Sequence, residues 1–264
     1  MSYRKIFSVV NEHTASTVTS RYAISMAASC KAELLLYAAH DEGSKESTSL
    51  HTDRHMVHLF TAASDLGISV SRITEIGNIN NLLPKKVQTE KADLVLYPLT
   101  PDERYGAALQ QQTVHRLLRT IRSDLAIMRV ITMAKPHPRH ILVPLGSVAG
   151  DKGRRLMFIS ELARSFHSEV ILFHLSAERG AKGMPDDIIE FGIQLHKQQI
   201  AVIERHGRGD IGKSIIFEAI TRHNDLIVLG ATGRCTIRRL FFGNPAGDVM
   251  HQPPCNAILF RPAP

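Results

Sequence analysis

The amino-acid sequence predicts an α/β protein built from two tandem, doubly wound domains. Short apolar runs alternate with amphipathic stretches along the whole chain, which is typical of parallel sheets flanked by helices. The same succession also occurs twice. Residues 225–229 lie 132 positions after residues 93–97, and the turn at 207–210 corresponds to the turn at 77–78. A constant offset across several elements indicates an internal duplication.

The first copy, residues 1–135, contains five apolar runs that we interpret as strands. Between them lie amphipathic stretches, and the polar residues 41–49 are expected to form a surface loop. The predicted strands are residues 6–10, 33–38, 68–73, 93–97 and 126–130, and the predicted helices are residues 17–29, 50–65, 79–90 and 113–121. Two prolines within residues 135–138 break regular structure and mark the linker.

The second copy, residues 136–264, begins with a strand at residues 141–145 and a helix at residues 151–166. Strands at residues 169–175 and 225–229 follow. The helix has one apolar face, which indicates the side that packs on the sheet. That face consists of Leu156, Ile159, Leu162, Ala163 and Phe166.

Two glycines follow the strand at residues 225–229, at Gly230 and Gly233, and a third comes at Gly243, directly before Asn244 and Pro245. Asn is a favoured helix N-cap and Pro suits the first helical turn, so this segment predicts a helix start. Glycines allow the backbone to approach a phosphate closely. The pattern indicates an anion cradle at the carboxyl edge of a parallel sheet. The alternative is that the glycines only turn the chain.

This glycine spacing resembles the nucleotide-binding signature of the universal stress protein family, although the family has Ser or Thr where this chain has Asn244. Residues 250–260 also resemble the family's closing helix, proline and last strand. The resemblance implies two Rossmann-like domains, each a five-stranded parallel sheet with strand order 3-2-1-4-5. It further implies a stress-response protein that binds ATP or a related adenine nucleotide, with or without Mg²⁺. Such domains commonly pair through their last strands, either within a tandem chain or in a homodimer.

Only the second copy retains the glycines. The first copy has Pro98 and Pro101 in the equivalent positions, followed by Asp102 and Glu103. Proline has no N–H to offer a phosphate, and two carboxylates would repel one. We therefore interpret the first copy as a degenerate, structural domain.

At the other side of the expected pocket, the family usually carries an Asp after the first strand, where this chain has Gly146 and the first copy has Asn11. This loss weakens the expected binding, because a hydrogen bond to a charged group contributes about 1.5–3 kcal/mol. The resemblance implies a nucleotide-binding set made of Pro144, Leu145, Gly146, Leu175, Leu229, Gly230, Gly233, Arg234, Gly243, Asn244 and Pro245.

A competing phosphate motif occupies residues 207–214, which satisfy the P-loop spacing GxxxxGK[ST] with Lys213 as its lysine. Only about 50 residues follow, and no later strand ends in the Asp that would help to hold Mg²⁺. The corresponding turn of the first copy has no such motif. A P-loop NTPase is the third hypothesis, after nucleotide binding and a scaffold that acts only through protein partners.

The remaining features restrict function without naming one. The formal charge of +7 is divided evenly between the copies, which disfavours nucleic-acid binding. Cys30, Cys235 and Cys255 are widely spaced, which favours a reducing compartment. No leader or long apolar run is visible, so we expect a cytoplasmic protein.

No dedicated catalytic constellation stands out in the sequence, so little beyond slow hydrolysis of a bound nucleotide is expected. His51, His55 and His58 share one face of a predicted helix at metal-compatible spacing. No cysteine or carboxylate completes the set, and a solvated histidine face is the favoured interpretation.

Overall fold

The computed structural model describes residues 2–99, 106–131, 137–146, 151–176, 183–231 and 245–264. The chain divides into two compact units. Unit 1 comprises Met1–Val130 together with Arg261–Pro264, and unit 2 comprises Ile131–Phe260. The division that the sequence predicts at residue 135 falls outside the described residues.

Unit 1 is a five-stranded parallel sheet with strand order β3-β2-β1-β4-β5, as predicted. In chain order its elements are β1 (Lys5–Val9), α1 (Thr14–Cys30), β2 (Glu33–His40), α2 (Glu46–Asp65), β3 (Val70–Ile76), α3 (Ile79–Thr89), β4 (Leu94–Leu99), α4 (Gly106–Thr120) and β5 (Asp124–Arg129).

Unit 2 repeats this order as β8-β7-β6-β9-β10, again with parallel pairs. Its elements are β6 (His140–Leu145), α5 (Lys152–Phe166), β7 (Glu169–Ser176), α6 (Asp186–Lys197), β8 (Val202–Arg208), α7 (Ile211–Thr221), β9 (Leu226–Gly230), α8 (Pro245–His251) and β10 (Asn256–Arg261).

Helix bounds differ from the predicted ones in the polar segments. The expected loop at residues 41–49 is shorter, because α2 already begins at Glu46. Helix α4 begins at Gly106 rather than near Thr113. Ser and Thr at the start of α2 suggested a loop in the sequence, but residues of this type are also well suited to the first turn of a helix. Such boundaries depend on local capping that composition alone does not resolve.

The duplication is visible in the backbone as well as in the topology. Lys31 and His167 both end a helix in the left-handed region, with φ of +55° and +53°. Lys91 and His223, which are 132 positions apart, share a φ of +53°. Non-glycine residues adopt this conformation infrequently. Its recurrence at equivalent positions shows that the two units share their connections as well as their elements.

Each unit also contains the same carboxylate clamp on its central strand. In unit 2, Asp225 Oδ2 accepts hydrogen bonds from the backbone N–H groups of Arg139 (2.9 Å) and His140 (3.1 Å). In unit 1, Asp93 Oδ2 accepts equivalent bonds from Arg4 and Lys5 at 2.8 and 3.0 Å. The clamp fixes the start of the central strand against the strand beside it.

The core of unit 2 follows the predicted apolar face of α5. Ile159, Leu162 and Ala163 are buried, and Leu156 and Phe166 are half-buried. The edge strands β3 and β8 alternate between half-buried and exposed positions over most of their length. The sequence predicts this alternation for the third strand of the first copy. None of the described helices is long and apolar enough to cross a membrane.

We expect Asp225→Ala to lower the free energy of unfolding of unit 2 by about 3 kcal/mol, because two backbone donors lose a charged acceptor. Asp225→Asn should lose less, because an amide oxygen can still accept one or both bonds. Urea unfolding followed by circular dichroism measures both variants, with Asp93→Ala as the matched change in unit 1. Equal stability of Asp225→Ala and the unaltered chain would contradict the clamp.

Candidate functional site

In unit 2 the strand order reverses between β6 and β9, and we take this switch point as the candidate ligand crevice. Strand β6 lies between β7 and β9, and its ladder with β9 ends at the pair Leu142 and Ile227. Each strand continues for three more residues, to Leu145 and Gly230. In doubly wound sheets, ligands bind at such a switch point, beyond the carboxyl ends of the strands.

Six residues of the predicted set lie at this edge of the sheet. Leu145 and Leu229 are buried at the ends of β6 and β9, and a Cβ on Gly146 would meet no atom of the described residues within 4 Å. The residues brought to this edge are Pro144, Leu145, Gly146, Leu175, Leu229 and Gly230.

The rest of the predicted set belongs to the segment after β9. Helix α8, which the sequence predicts at this point, comprises Pro245–His251 among the described residues. The other four residues, Gly233, Arg234, Gly243 and Asn244, lie outside the described residues.

Sequence reasoning missed a cation in the crevice, Arg155 of α5. Its Nη2 donates a 3.0 Å hydrogen bond to the carbonyl oxygen of Pro144 at the end of β6. A Cβ placed on Gly230 would lie 2.8 Å from both the Cζ and Nη1 atoms of Arg155. The guanidinium group therefore reaches from the end of one central strand to the end of the other.

The electrostatic setting of Arg155 is unusual for an arginine. The residue is half-buried, and its Nε atom is fully buried with no hydrogen-bond partner in the described part of the chain. Burial lowers the pKa of Arg155 to about 10, so the group remains charged at neutral pH. None of the ion pairs among the described residues includes Arg155. A desolvated cation without a carboxylate is a suitable partner for an anion.

A sequence signal for Arg155 existed. The residue precedes Ile159 by four positions, which places it on the apolar inner face of α5. A positive charge in line with buried residues departs from the amphipathic pattern, in which charges belong on the opposite face.

The carbonyl oxygen of Leu145, at the end of β6, already has a hydrogen-bond partner. The Nδ1 atom of His174 on β7 lies 3.0 Å from this oxygen. The His174 ring also contacts the His206 ring of β8, with centroids 5.8 Å apart. A carbonyl has two lone pairs, so a second hydrogen bond to this oxygen is still possible. The nearby Pro144 carbonyl is held in the same way by Arg155.

At the equivalent edge of unit 1, Asn11 is held by hydrogen bonds to neighbouring residues. Asn11, which follows β1, accepts a hydrogen bond from the backbone N–H of His13 through its Oδ1 at 3.0 Å. Its backbone carbonyl oxygen lies 2.9 Å from both the Ser16 hydroxyl and His55 Nδ1. When the helix ends at Lys31 and His167 are aligned, the position of Arg155 is occupied by Thr19, which is buried and uncharged.

Pro98, which stands in place of a signature glycine in unit 1, is buried within β4 and pairs with Met128. Pro101, Asp102 and Glu103 lie outside the described residues.

The P-loop spacing at residues 207–214 has a structural explanation. The motif connects β8, at the edge of the sheet in unit 2, to α7. The Asp210 side chain caps α7 by accepting a 2.9 Å bond from the backbone N–H of Lys213. A carboxylate therefore occupies the position where a P-loop presents N–H groups to phosphate. The Lys213 side chain is exposed, and Ser214 Oγ donates to the Arg208 carbonyl at 3.2 Å.

The histidines of α2 do not converge on one point. His55 contacts the Asn11 carbonyl, whereas His51 contacts the Ser47 carbonyl of its own helix at 2.6 Å. His51 and His58 are exposed. Within the described ranges, no group of three or more His, Cys, Asp or Glu side chains could hold a metal ion.

Comparison with known proteins agrees with this fold. The model of the universal stress protein family matches residues 137–261. A universal stress protein from Archaeoglobus fulgidus DSM 4304 superposes with a TM-score of 0.72 at 13% identity, over 98% of this chain and 96% of its own. A functionally unknown protein from Pseudomonas aeruginosa PAO1 gives 0.67 at 15% identity, over 99% and 93%.

The same fold also occurs in the cytoplasmic domain of a prokaryotic cation chloride cotransporter, with a TM-score of 0.66 at 8% identity, over 100% of this chain and 96% of that one. None of the curated proteins matches the chain.

The chain is thus an α/β protein of the Rossmann-like class, with a candidate ligand crevice in its second unit. Residues 137–261 match the model of the universal stress protein family, and unit 1 repeats the topology of this domain.

We expect Gly207→Ala to destabilise unit 2 by about 1–3 kcal/mol, the range typical of overpacking. A Cβ at this position would lie 2.6 Å from the ring atom Cζ of Phe173. Thermal unfolding measures the loss, and Phe173→Leu in the same chain should recover part of it by removing the ring. A Gly207→Ala variant with unchanged stability but weaker phosphate binding would instead favour the P-loop hypothesis.

Proposed function

We propose that the second unit binds an adenine nucleotide, ATP or a close relative, as part of a stress response. The observation that carries this proposal is Arg155, a desolvated cation without a carboxylate partner among the described residues, at the switch point between β6 and β9. A phosphate group supplies the charge that this position lacks. The family of residues 137–261 supports the assignment of a nucleotide to this edge of the sheet.

The glycine motif would hold the phosphate chain. In the family pattern, Gly233 and Gly243 let the backbone approach the phosphates, and Asn244 replaces a hydroxyl donor with an amide donor. Arg234 adds a second cation close to the same glycines in sequence. Mg²⁺, when present, would be bound chiefly through the phosphates, as is usual for this ion.

The base would lie beyond the ends of β6 and β7. Gly146 has no side chain and therefore offers no carboxylate to a ribose or base. The main chain around Leu145 and Leu175 supplies polar groups at this edge. We expect base selectivity to be modest, because main-chain groups alone recognise the nucleoside.

Unit 1 has a structural role in this proposal. The hydrogen bonds of Asn11 close the edge at which a base would enter. Pro98 removes one backbone donor in the region that corresponds to Gly230.

A second candidate function is that of a protein-binding scaffold. Helix α7 exposes Phe217 (69%) and Ile220 (56%), where the equivalent positions of unit 1 carry Lys85 and Gln88. Large apolar side chains that remain exposed in only one copy of a duplication favour a contact made by that copy alone.

Calorimetric titration of the full chain with ATP should give one site per chain. The physical reason is that only unit 2 combines the glycines with an uncompensated cation. Two equivalent sites would contradict the structural role of unit 1. Absence of heat, together with unchanged thermal stability at millimolar ATP, would favour the scaffold.

Gly233→Asp should weaken ATP binding well beyond tenfold, and Gly243→Asp should abolish it, because each adds a negative charge where phosphate is expected. Lys213→Ala should leave the affinity within about twofold, since this lysine lies on an edge helix with its backbone N–H capped by Asp210. Circular dichroism confirms folding of each variant. If Lys213→Ala abolished ATP binding and the two glycine variants left it unchanged, the nucleotide site would lie at residues 207–214 instead.

A further inference from the structure

Burial of the Arg155 charge costs free energy, and packing alone does not explain why the charge is there. A half-buried guanidinium loses hydration, which costs free energy unless a counter-charge or hydrogen bonds replace the water. In this case the structure provides one hydrogen bond, to the Pro144 carbonyl, and leaves the buried Nε without a partner among the described residues. Thr19 shows that the duplicated fold is compatible with a small neutral residue at this position.

The donor geometry favours an anion with more than one acceptor oxygen. A guanidinium group has five N–H bonds, and Arg155 uses one of them on Pro144. The Nη1 group and the second N–H of Nη2 provide a planar fork that can pair with two oxygens of one phosphate group. Lysine, with a single point charge, would not match this geometry equally well.

Gly146 places no negative charge at the edge of the sheet where Arg155 lies. An acidic side chain after β6 would stand at the same edge as the guanidinium group and would compete with a ligand for it. With Gly146 in that position, no atom of the described residues fills the place of a side chain, and no carboxylate is added there. Gly146 stands where the family usually carries an Asp, and Arg155 places a cation at the same edge. The electrostatics of the crevice therefore favour the anionic part of a ligand.

We propose that Arg155 binds a phosphate group of the ligand and makes the crevice selective for phosphorylated over unphosphorylated nucleosides. This inference rests on the proposed nucleotide-binding function and adds the residue that determines ligand class. It also gives Gly230 a second role. A Cβ on Gly230 would lie 2.8 Å from the guanidinium carbon. The absence of a side chain at Gly230 therefore leaves room for the Arg155 guanidinium group and also lets the backbone approach a phosphate.

The test is titration of the full chain with ATP, adenosine and tripolyphosphate, which carries the phosphate chain without a nucleoside. Arg155→Gln should weaken ATP and tripolyphosphate binding by tenfold or more and leave adenosine binding within twofold. Arg155→Lys should lose less, because it keeps the charge and loses the fork. Gly230→Ala should weaken ATP binding through displacement of the guanidinium group.

Arg154→Gln is the matched control. It removes the same charge from the adjacent residue of α5, where the side chain is exposed and lies 3.7 Å from Asp151. Affinity for ATP should stay within twofold. Thermal unfolding without ligand should show Arg155→Gln to be at least as stable as the unaltered chain, because an uncompensated charge has been removed. If Arg155→Gln does not fold, the Arg155→Lys and Gly230→Ala titrations decide the question.

The outcomes separate this inference from the proposed function. ATP affinity that is equal in Arg155→Gln and the unaltered chain overturns the role of Arg155 and leaves nucleotide binding intact. Tighter binding of all three ligands by Arg155→Gln also overturns it, since the arginine would then block the crevice. If tripolyphosphate binding depends on Arg155 and ATP binds no more tightly than tripolyphosphate, the role of Arg155 is supported. The adenine is then not recognised, which contradicts the proposed adenine selectivity. Binding of neither ATP nor tripolyphosphate overturns both.

Discussion

Burial of the central strand on both faces is the constraint on which each unit depends. Strand β1 is buried along four of its five residues, and β6 is buried over most of its length. Such strands need parallel neighbours on both sides and helical crossovers above and below the sheet. The chain therefore has to leave the central strand in one direction and later return to its other side. The crevice between β6 and β9 is a geometric consequence of this reversal.

The two units show how one scaffold can carry different electrostatics at the same edge. The clamps of Asp93 and Asp225 are preserved, because they hold the central strand in place in either unit. The residues after the central strand have diverged. Unit 1 has Asn11, which hydrogen-bonds to its own loop and to His55, whereas unit 2 has Gly146, which leaves that space open. Structural positions and ligand positions are thus separable within the duplication.

The strand order was predictable because the glycine signature and the closing segment resemble a family with this order, and the repeat extends it to both copies. Helix α8 lies where the asparagine and proline of the signature predict a helix. Arg155 was not identified, because the sequence pattern assigns a charged residue to solvent unless its helical phase is checked against Ile159. The explanation of residues 207–214 also depends on contacts that only the structure shows. In the structure, the packing of Gly207 against Phe173 and the cap by Asp210 add to the sequence arguments against a phosphate loop.

The position of Arg155 links stability to ligand recognition in a way that a surface cation would not. A solvated arginine gains little from a phosphate, because water already satisfies its donors and screens its charge. At the end of β6, part of the hydration of Arg155 is already lost, as the lowered pKa of the group indicates. The free-energy cost of desolvating the guanidinium group is therefore incurred during folding rather than on binding. An anion that enters the crevice meets a cation that is already oriented by Pro144 and Gly230, which is the condition under which a charged contact contributes most to affinity.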